Sequence, residues 1–502
     1  MESRTRKSFR NVLTGIISKM IVFIFAFIVR TIFVRKLGAE YNGINGLFAN
    51  ILSVVCLADL GIENVLNFAL YKELKDNNRD KIIQLIASFR KVYCAFAAFI
   101  MSVGLMIMLI LRFIVDTTVP LSEVYLYYLL YLLNAVVSYL FVFKTTIISA
   151  DQNQYISNIL FSLTRILMYI LQTIWLLVFR SMLGYLVIQI ICTLLHNLAL
   201  NFISVRRYPY LTKINKTKSN NLSQNLKNNI ASTLLYRGST VAIDNTDNII
   251  ISSVLGTFWA GLYSNYYMLV QYVGGVIYIA GKGLLASIGS LNAESDSSRT
   301  YENFKSVNLI YAIVGNIYFC CFANCVQQFV PIWVGREYLL TDSFALAIIG
   351  SFYLGIIMMP VTMFRETMGL FGQVKISMLI AAIINIIFSI VLAKNIGMTG
   401  VVLATIISKL ATQFWYEPMV LFKRMGITVK YYFMSEVKYF FMTMISFGSS
   451  DIICRWLGST FIDVILRALL SVLICIMISL IFNFRTMEFA DLRKKIKTLI
   501  KT

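Results

Sequence analysis

The chain has 502 residues, 58% of them hydrophobic and only 14% charged, with a mean hydropathy of +0.75. Soluble domains run at about 45–50% apolar and about 25% charged, so a water-soluble globule of this make-up would expose apolar surface it cannot hide. The net charge of +21 would suggest nucleic acid on a soluble protein, but cytoplasmic loops of membrane proteins concentrate Lys and Arg, and no nucleic-acid partner is expected here.

A membrane-crossing helix needs about 20 mostly apolar residues. By that rule the chain offers about fourteen spans, the first seven near 12–34, 42–70, 84–113, 121–149, 155–179, 182–204 and 229–254. The remainder lie near 258–287, 304–331, 343–368, 374–394, 398–422, 433–456 and 460–483. These divide into an N-lobe (1–204, spans one to six), a basic linker (205–228), a C-lobe (229–425, spans seven to twelve), two further spans (426–483) and a tail (484–502). The connections are too short for a soluble catalytic domain, so an enzyme is not expected. Gly281-Lys282-Gly283 is the nearest approach to a phosphate-binding loop, but Val276 stands where the first glycine of that motif is required.

Cations fix the expected orientation. Arg4, Arg6, Lys7 and Arg10 precede the first span; Lys72, Lys75, Arg79 and Lys81 fall in the second loop; Arg206, Arg207, Lys213, Lys216 and Lys218 fall in the sixth. Odd-numbered loops hold few, so both termini are placed in the cytoplasm. The first hydrophobic stretch has no small-residue cleavage site and reads as a signal anchor. From Phe484 onward the tail reads as a basic amphipathic helix on the anionic inner leaflet, or as a solvated end.

Charges inside the spans cost about 2.5–3.5 kcal/mol each and therefore mark wet cavities or partners. Span one carries Lys19 and Arg30, three turns and about 16 Å apart on one face, each placed either in a cavity or snorkelling to its interface. In span two, Asp59 and Glu63 share a face, either pairing with loop cations or taking a gating or coupling role. Span five contributes Arg165, and His196 in span six is expected as a hydrogen-bonded packing residue. Span seven is the most polar: Thr233, Arg237, Thr240, Asp244 and Asp247 recur at steps of four and three, with Asn245 and Asn248 widening the stripe. Such a face either lines a cavity or forms a polar seam. Arg365-Glu366 in span ten and Lys409 in span twelve complete the set, Lys409 sharing a face with Gln413 and Glu417. Pro360 and Pro418 are candidate kinks. The tyrosine runs at 125–131 and 263–272 suit interface belts or the stacking of sugar rings. Cys320, Cys321 and Cys325 lack zinc-like spacing and read as packing residues; no metal or other cofactor is expected.

An internal repeat then emerges. LGAEYNGINGLFANIL at Leu37–Leu52 aligns with LGTFWAGLYSNYYMLV at Leu255–Val270, Gly38 falling on Gly256 and Gly43 on Gly261, each 218 positions apart. The same offset sets Lys19 on Arg237, and MLGYLVIQI at Met182–Ile190 resembles MTGVVLATI at Met398–Ile406 at nearly that offset. A six-span unit is even, so both copies enter the membrane in the same sense. The expected fold is an all-α integral membrane protein: two parallel six-helix bundles related by a pseudo-two-fold along the membrane normal, plus two C-terminal helices.

The stretches VRKLGAEYNGINGLFANILSVVCLADLGIENVLNFALYKELKDNNRDKI (Val34–Ile82) and FRETMGLFGQVKISMLIAAIINIIFSIVLAKNIGMTGVVLATIISKLATQFWYEPMVLFK (Phe364–Lys423) resemble bacterial polysaccharide flippases of the O-antigen and capsule, Wzx-like type, within the MOP exporter superfamily. The resemblance covers most of the chain and rests on glycine and aromatic patterns rather than a catalytic signature. It implies a MATE-like fold in the bacterial cytoplasmic membrane, exporting undecaprenyl-diphosphate-linked repeat units by alternating access. Its implied partners are that lipid-linked glycan, membrane lipids, a polysaccharide polymerase and glycosyltransferases. On this expectation Arg237, Lys19 and Arg30, with Arg165, Lys409 and Arg365, grip the diphosphate in a cationic cavity, while Asp59, Glu63, Asp244 and Asp247 gate or couple. The alternative is a multidrug or cation antiporter on the same fold, which should favour acids over cations in its cavity.

Overall fold

The computed structural model describes residues 4–56, 66, 70, 73–74, 76, 78–139, 142–151, 153–216, 245–294, 297–491 and 493. Among them there is no strand. The helices are α1 (Arg4–Val55), α2 (Arg79–Ile114), α3 (Leu121–Ser138), α4 (Val142–Ala150), α5 (Gln154–Phe179), α6 (Met182–Arg207), α7 (Thr257–Glu294) and α8 (Ser297–Trp333). They continue with α9 (Asp342–Thr367), α10 (Phe371–Ile396), α11 (Met398–Ala411), α12 (Gln413–Met425), α13 (Lys430–Cys454) and α14 (Phe461–Asn483). Ten helical segments among the described residues are long and apolar enough to cross a membrane. The chain is a multi-pass, all-α membrane protein.

Local chemistry sets several boundaries. The Asn78 side chain accepts the Lys81 amide at the start of α2, and Thr341 does the same for Phe344 at the start of α9. Thr460 and Asp463 form a reciprocal capping box that opens α14. Within Arg4–Val55 two helices, the first span and the start of the second, meet at Gly38 (φ 89°, ψ 179°), so the connection expected as a loop is a single-residue turn. The twelfth span is broken at Thr412 (φ −125°, ψ −78°), six residues before the proline expected to kink it.

Two compact units are present, Met1–Gly261 and Leu262–Thr502. In unit 1, α1 packs along α5, and α3 fills the space between α2 and α6. Phe48 sits edge-on to Tyr128 (5.3 Å) and Tyr131 (5.8 Å), while the Tyr128 hydroxyl donates to the Gly104 carbonyl at 3.0 Å. The tyrosines of α3 thus tie helices together inside the bundle: Tyr127, Tyr128 and Tyr131 are buried rather than spread along an interface belt. In unit 2, α8 is central, packed against α9, α13 and α14. Lipid is as apolar as the helices it bathes, so association within such a bundle relies on close packing and interhelical hydrogen bonds. The outward faces remain apolar, with Leu109 77% and Ile481 74% exposed.

Candidate transport site

The glycine segments at 38–43 and 256–261 meet within unit 1. Gly38 and Gly256, equivalent by the 218-residue offset, both hold left-handed backbone (φ 89° and 105°), which a side chain would strain. One turn later the equivalent glycines face each other. A Cβ on Gly43 would lie 1.8 Å from the Thr257 carbonyl oxygen, and a Cβ on Gly261 would lie 2.0 Å from that of Ala39. Ala39 and Thr257 are themselves 218 apart, so the crossing is reciprocal. The buried Asn42 amide donates to the Gly261 carbonyl at 2.7 Å.

Glu40 organises the surroundings. It accepts from the Thr117 hydroxyl (2.9 Å), the Thr118 amide (2.8 Å) and the Thr118 hydroxyl (2.9 Å). The Thr257 hydroxyl reaches Glu40 at 3.3 Å and donates to the Asp116 carbonyl at 2.8 Å, which also receives the Thr257 amide. Neither Glu40 nor Asn42 stood out in the sequence, although both lie inside the LGAEYNG segment that revealed the repeat.

Lys19 is exposed, and Arg30 is half-buried within electrostatic reach of Tyr131 and near the α3 tyrosines. Arg165 borders a cavity of about 120 Å³ lined by α3, α5 and α6, with its guanidinium 5.1 Å from the Phe161 ring centre. His196 lines the same cavity, its Nδ1 3.0 Å from the Thr164 hydroxyl. Asp247 and Asn248 are buried. Lys409 is half-buried. Arg237, Asp244, Asp59 and Glu63 lie outside the described residues.

Arg365 has a distinct setting. Its Nε is 3.3 Å from Glu417 Oε2, and the side chains are 1% and 4% exposed. In this conformation the pair is sealed between α9 and α12, so Arg365 offers no open guanidinium to a ligand. Glu417 and Lys409, expected on one helical face, are separated by the break at Thr412, and their spacing no longer sets a common direction.

A polar ladder went unnoticed in the sequence. Along α8, Asn308, Asn316 and Asn324 are all buried. Asn308 donates to Glu436 of α13 (2.8 Å). Asn316 donates to Ser446 of α13 (3.1 Å) and Ser479 of α14 (3.2 Å), and Asn324 to Ser450 and Ser471 (both 2.9 Å). Cys320 and Cys475 both bond to Asn316, so these thiols serve packing. The signal was available: asparagines every eight residues in one span, and Ser471, Cys475, Ser479 and Asn483 every four in another. No group of His, Cys, Asp and Glu among the described residues could hold a metal ion.

A family model described as "Polysaccharide biosynthesis protein" matches residues 8–285, more than half of the chain. No curated protein matches. Among solved structures, the chain is similar to one described as lipid II flippase MurJ in an inward closed conformation, at 13% identity and TM-score 0.66, over 94% of this chain and 98% of that one. It is also similar to a multidrug resistance MATE family transporter of the MOP superfamily in an inward-facing conformation, at 12% identity and TM-score 0.60, over 82% of this chain and 98% of that one. The resemblance read from Val34–Ile82 and Phe364–Lys423 is borne out at the level of family and fold. By that match, the chain belongs to the polysaccharide biosynthesis protein family.

Proposed function

We propose that this protein flips undecaprenyl-diphosphate-linked oligosaccharide repeat units from the inner to the outer leaflet of the bacterial cytoplasmic membrane by alternating access. The observation that carries this reading is family membership over residues 8–285, joined to a fold shared with a lipid II flippase along almost the whole chain. The multidrug transporter leaves a larger part of this chain unmatched, a shortfall comparable in length to α13 and α14 together. That difference favours the lipid-linked substrate over the antiporter.

In this reading the diphosphate is held by Arg237, Lys19 and Arg30. Equivalent cations from each repeat, Lys19 and Arg237, neutralise it while the prenyl chain stays in lipid. Asp59, Glu63, Asp244 and Asp247 gate or couple the cycle. Moving one charge through 100 mV is worth about 2.3 kcal/mol, enough to help release a tightly held anion. Both termini face the cytoplasm, and glycosyltransferases and a polymerase act before and after the flip. The test is glycan export in cells lacking the chromosomal copy. Arg237→Ala abolishes surface polysaccharide at unchanged protein level; full polysaccharide production by that variant removes Arg237 from the mechanism. Drug resistance conferred by the wild type, without glycan export, would replace this reading with the antiporter.

A further inference from the structure

Arg165 occupies an unusual electrostatic position. It is the twelfth residue of the 26-residue α5, about 17 Å of helix from the start, which places it near mid-depth of a hydrocarbon core about 30 Å thick. His196 lies at matching depth in α6, the hydrogen bond to Thr164 holding the two helices in register. A guanidinium carries five N–H donors. Among the described residues Arg165 has no carboxylate or carbonyl oxygen as partner: its Nη1 lies 3.7 Å from the Met168 sulfur, and the ring of Phe161 takes one face. A full positive charge at this depth, met by a thioether and an aromatic ring, has no counter-ion among the described residues.

The adjoining cavity of about 120 Å³ supplies room for one. Besides Arg165 it is lined by Ser138, Thr164, Thr193, His196 and Asn197, with no acid among its lining residues; the three hydroxyls now donate to carbonyls of their own helices and the Asn197 amide to those of Val137 and Ser138. We propose that this cavity binds a small monovalent inorganic anion of halide size, held by the Arg165 guanidinium and finished by hydroxyls that turn away from their own helix carbonyls. Depth argues against a phospholipid headgroup, whose phosphate lies about 15 Å away at the interface. The volume leaves no room for a diphosphate bearing a sugar and a prenyl chain. The site therefore stands or falls independently of the substrate reading above.

The test uses the purified full chain in lipid nanodiscs, with chloride as the probe and gluconate, too large for the cavity, as the control at equal ionic strength. Wild type should show a saturable rise in thermal midpoint with chloride, matched by bromide, and an excess broadening of the chlorine NMR line. Arg165→Gln should lose both. Cys192→Leu keeps the arginine but fills the cavity that Cys192 lines, and should also lose both, which guards against an Arg165 variant that fails to fold. The same rise in gluconate, or chloride responses that survive in both variants, would mean that water alone solvates the arginine and would overturn the proposal.

Discussion

The glycine crossing of unit 1 and the asparagine ladder of unit 2 both bring helices into intimate contact with small residues, yet they are built for different mechanical ends. The crossing is confined to Ala39–Gly43 against Thr257–Gly261, little more than a turn on each side, with backbone meeting backbone. The ladder runs from Asn308 to Asn324, about 24 Å of helix, and each rung reaches α13, α14 or both. A contact one turn long parts by breaking few bonds, here those of Asn42 with Gly261 and of Thr257 with Glu40 and Asp116. A contact many turns long parts only if every rung breaks, so α8, α13 and α14 move as one body. In the proposed cycle, motion belongs at the crossing and rigidity at the ladder.

That contrast can be broken experimentally, most severely at the deepest pin of unit 2. Arg365→Met leaves the Glu417 carboxyl buried without its counter-ion, and should cost about 3–5 kcal/mol in a reversible unfolding assay. Adding Glu417→Leu should return most of that loss; a double variant no more stable than the single would show that the pair is not the origin of the effect. Next comes Gly43→Ala. Its methyl group meets the Thr257 carbonyl rather than a yielding side chain, so overpacking costs at the upper end of about 1–3 kcal/mol and glycan export should fall sharply. Wild-type export by this variant would mean the crossing need not close.

Asn324→Ala tests the ladder itself. It removes two interhelical bonds and should destabilise unit 2 by about 0.6–1.7 kcal/mol, with export retained because one rung does not free α13 and α14. Smallest is Glu40→Gln. The amide oxygen still accepts from the Thr117 hydroxyl and the Thr118 amide, while the Thr118 hydroxyl, which donated to the other carboxylate oxygen, has to turn and accept from the new NH2, a loss of about 1 kcal/mol by thermal unfolding. An effect larger than that of Asn324→Ala would make the carboxylate, rather than the glycines, the principal fastening of the crossing.

Span positions were legible because apolar runs of membrane length have few alternatives. The Leu121–Ser138, Gln154–Phe179 and Phe461–Asn483 helices fall within a residue or two of the starts read from hydropathy. The repeat was legible because Gly38 and Gly256 must both supply left-handed backbone, a demand that keeps the residue type visible after the rest has diverged. Partners were not legible. Periodicity assigns a side chain to a face but says nothing of what lies opposite, so Arg365 looked like a ligand for substrate until Glu417, 52 positions away, was seen beside it. The asparagines of α8 were passed over because neutral amides carry no charge to flag them, although in lipid their hydrogen bonds do much of the fastening. The tyrosines of α3 misled in the opposite direction, since an aromatic cluster fits a headgroup belt and a bundle interior equally well.

The mutual clearance at Gly43 and Gly261 has a consequence for descent. After a duplication, paired halves ordinarily drift apart, each free to lose what the other preserves. Here the bare α-carbon of one copy is the space occupied by the main chain of the other, and no change elsewhere in a side chain can vacate it. The two positions must therefore be guarded together for as long as these two segments touch.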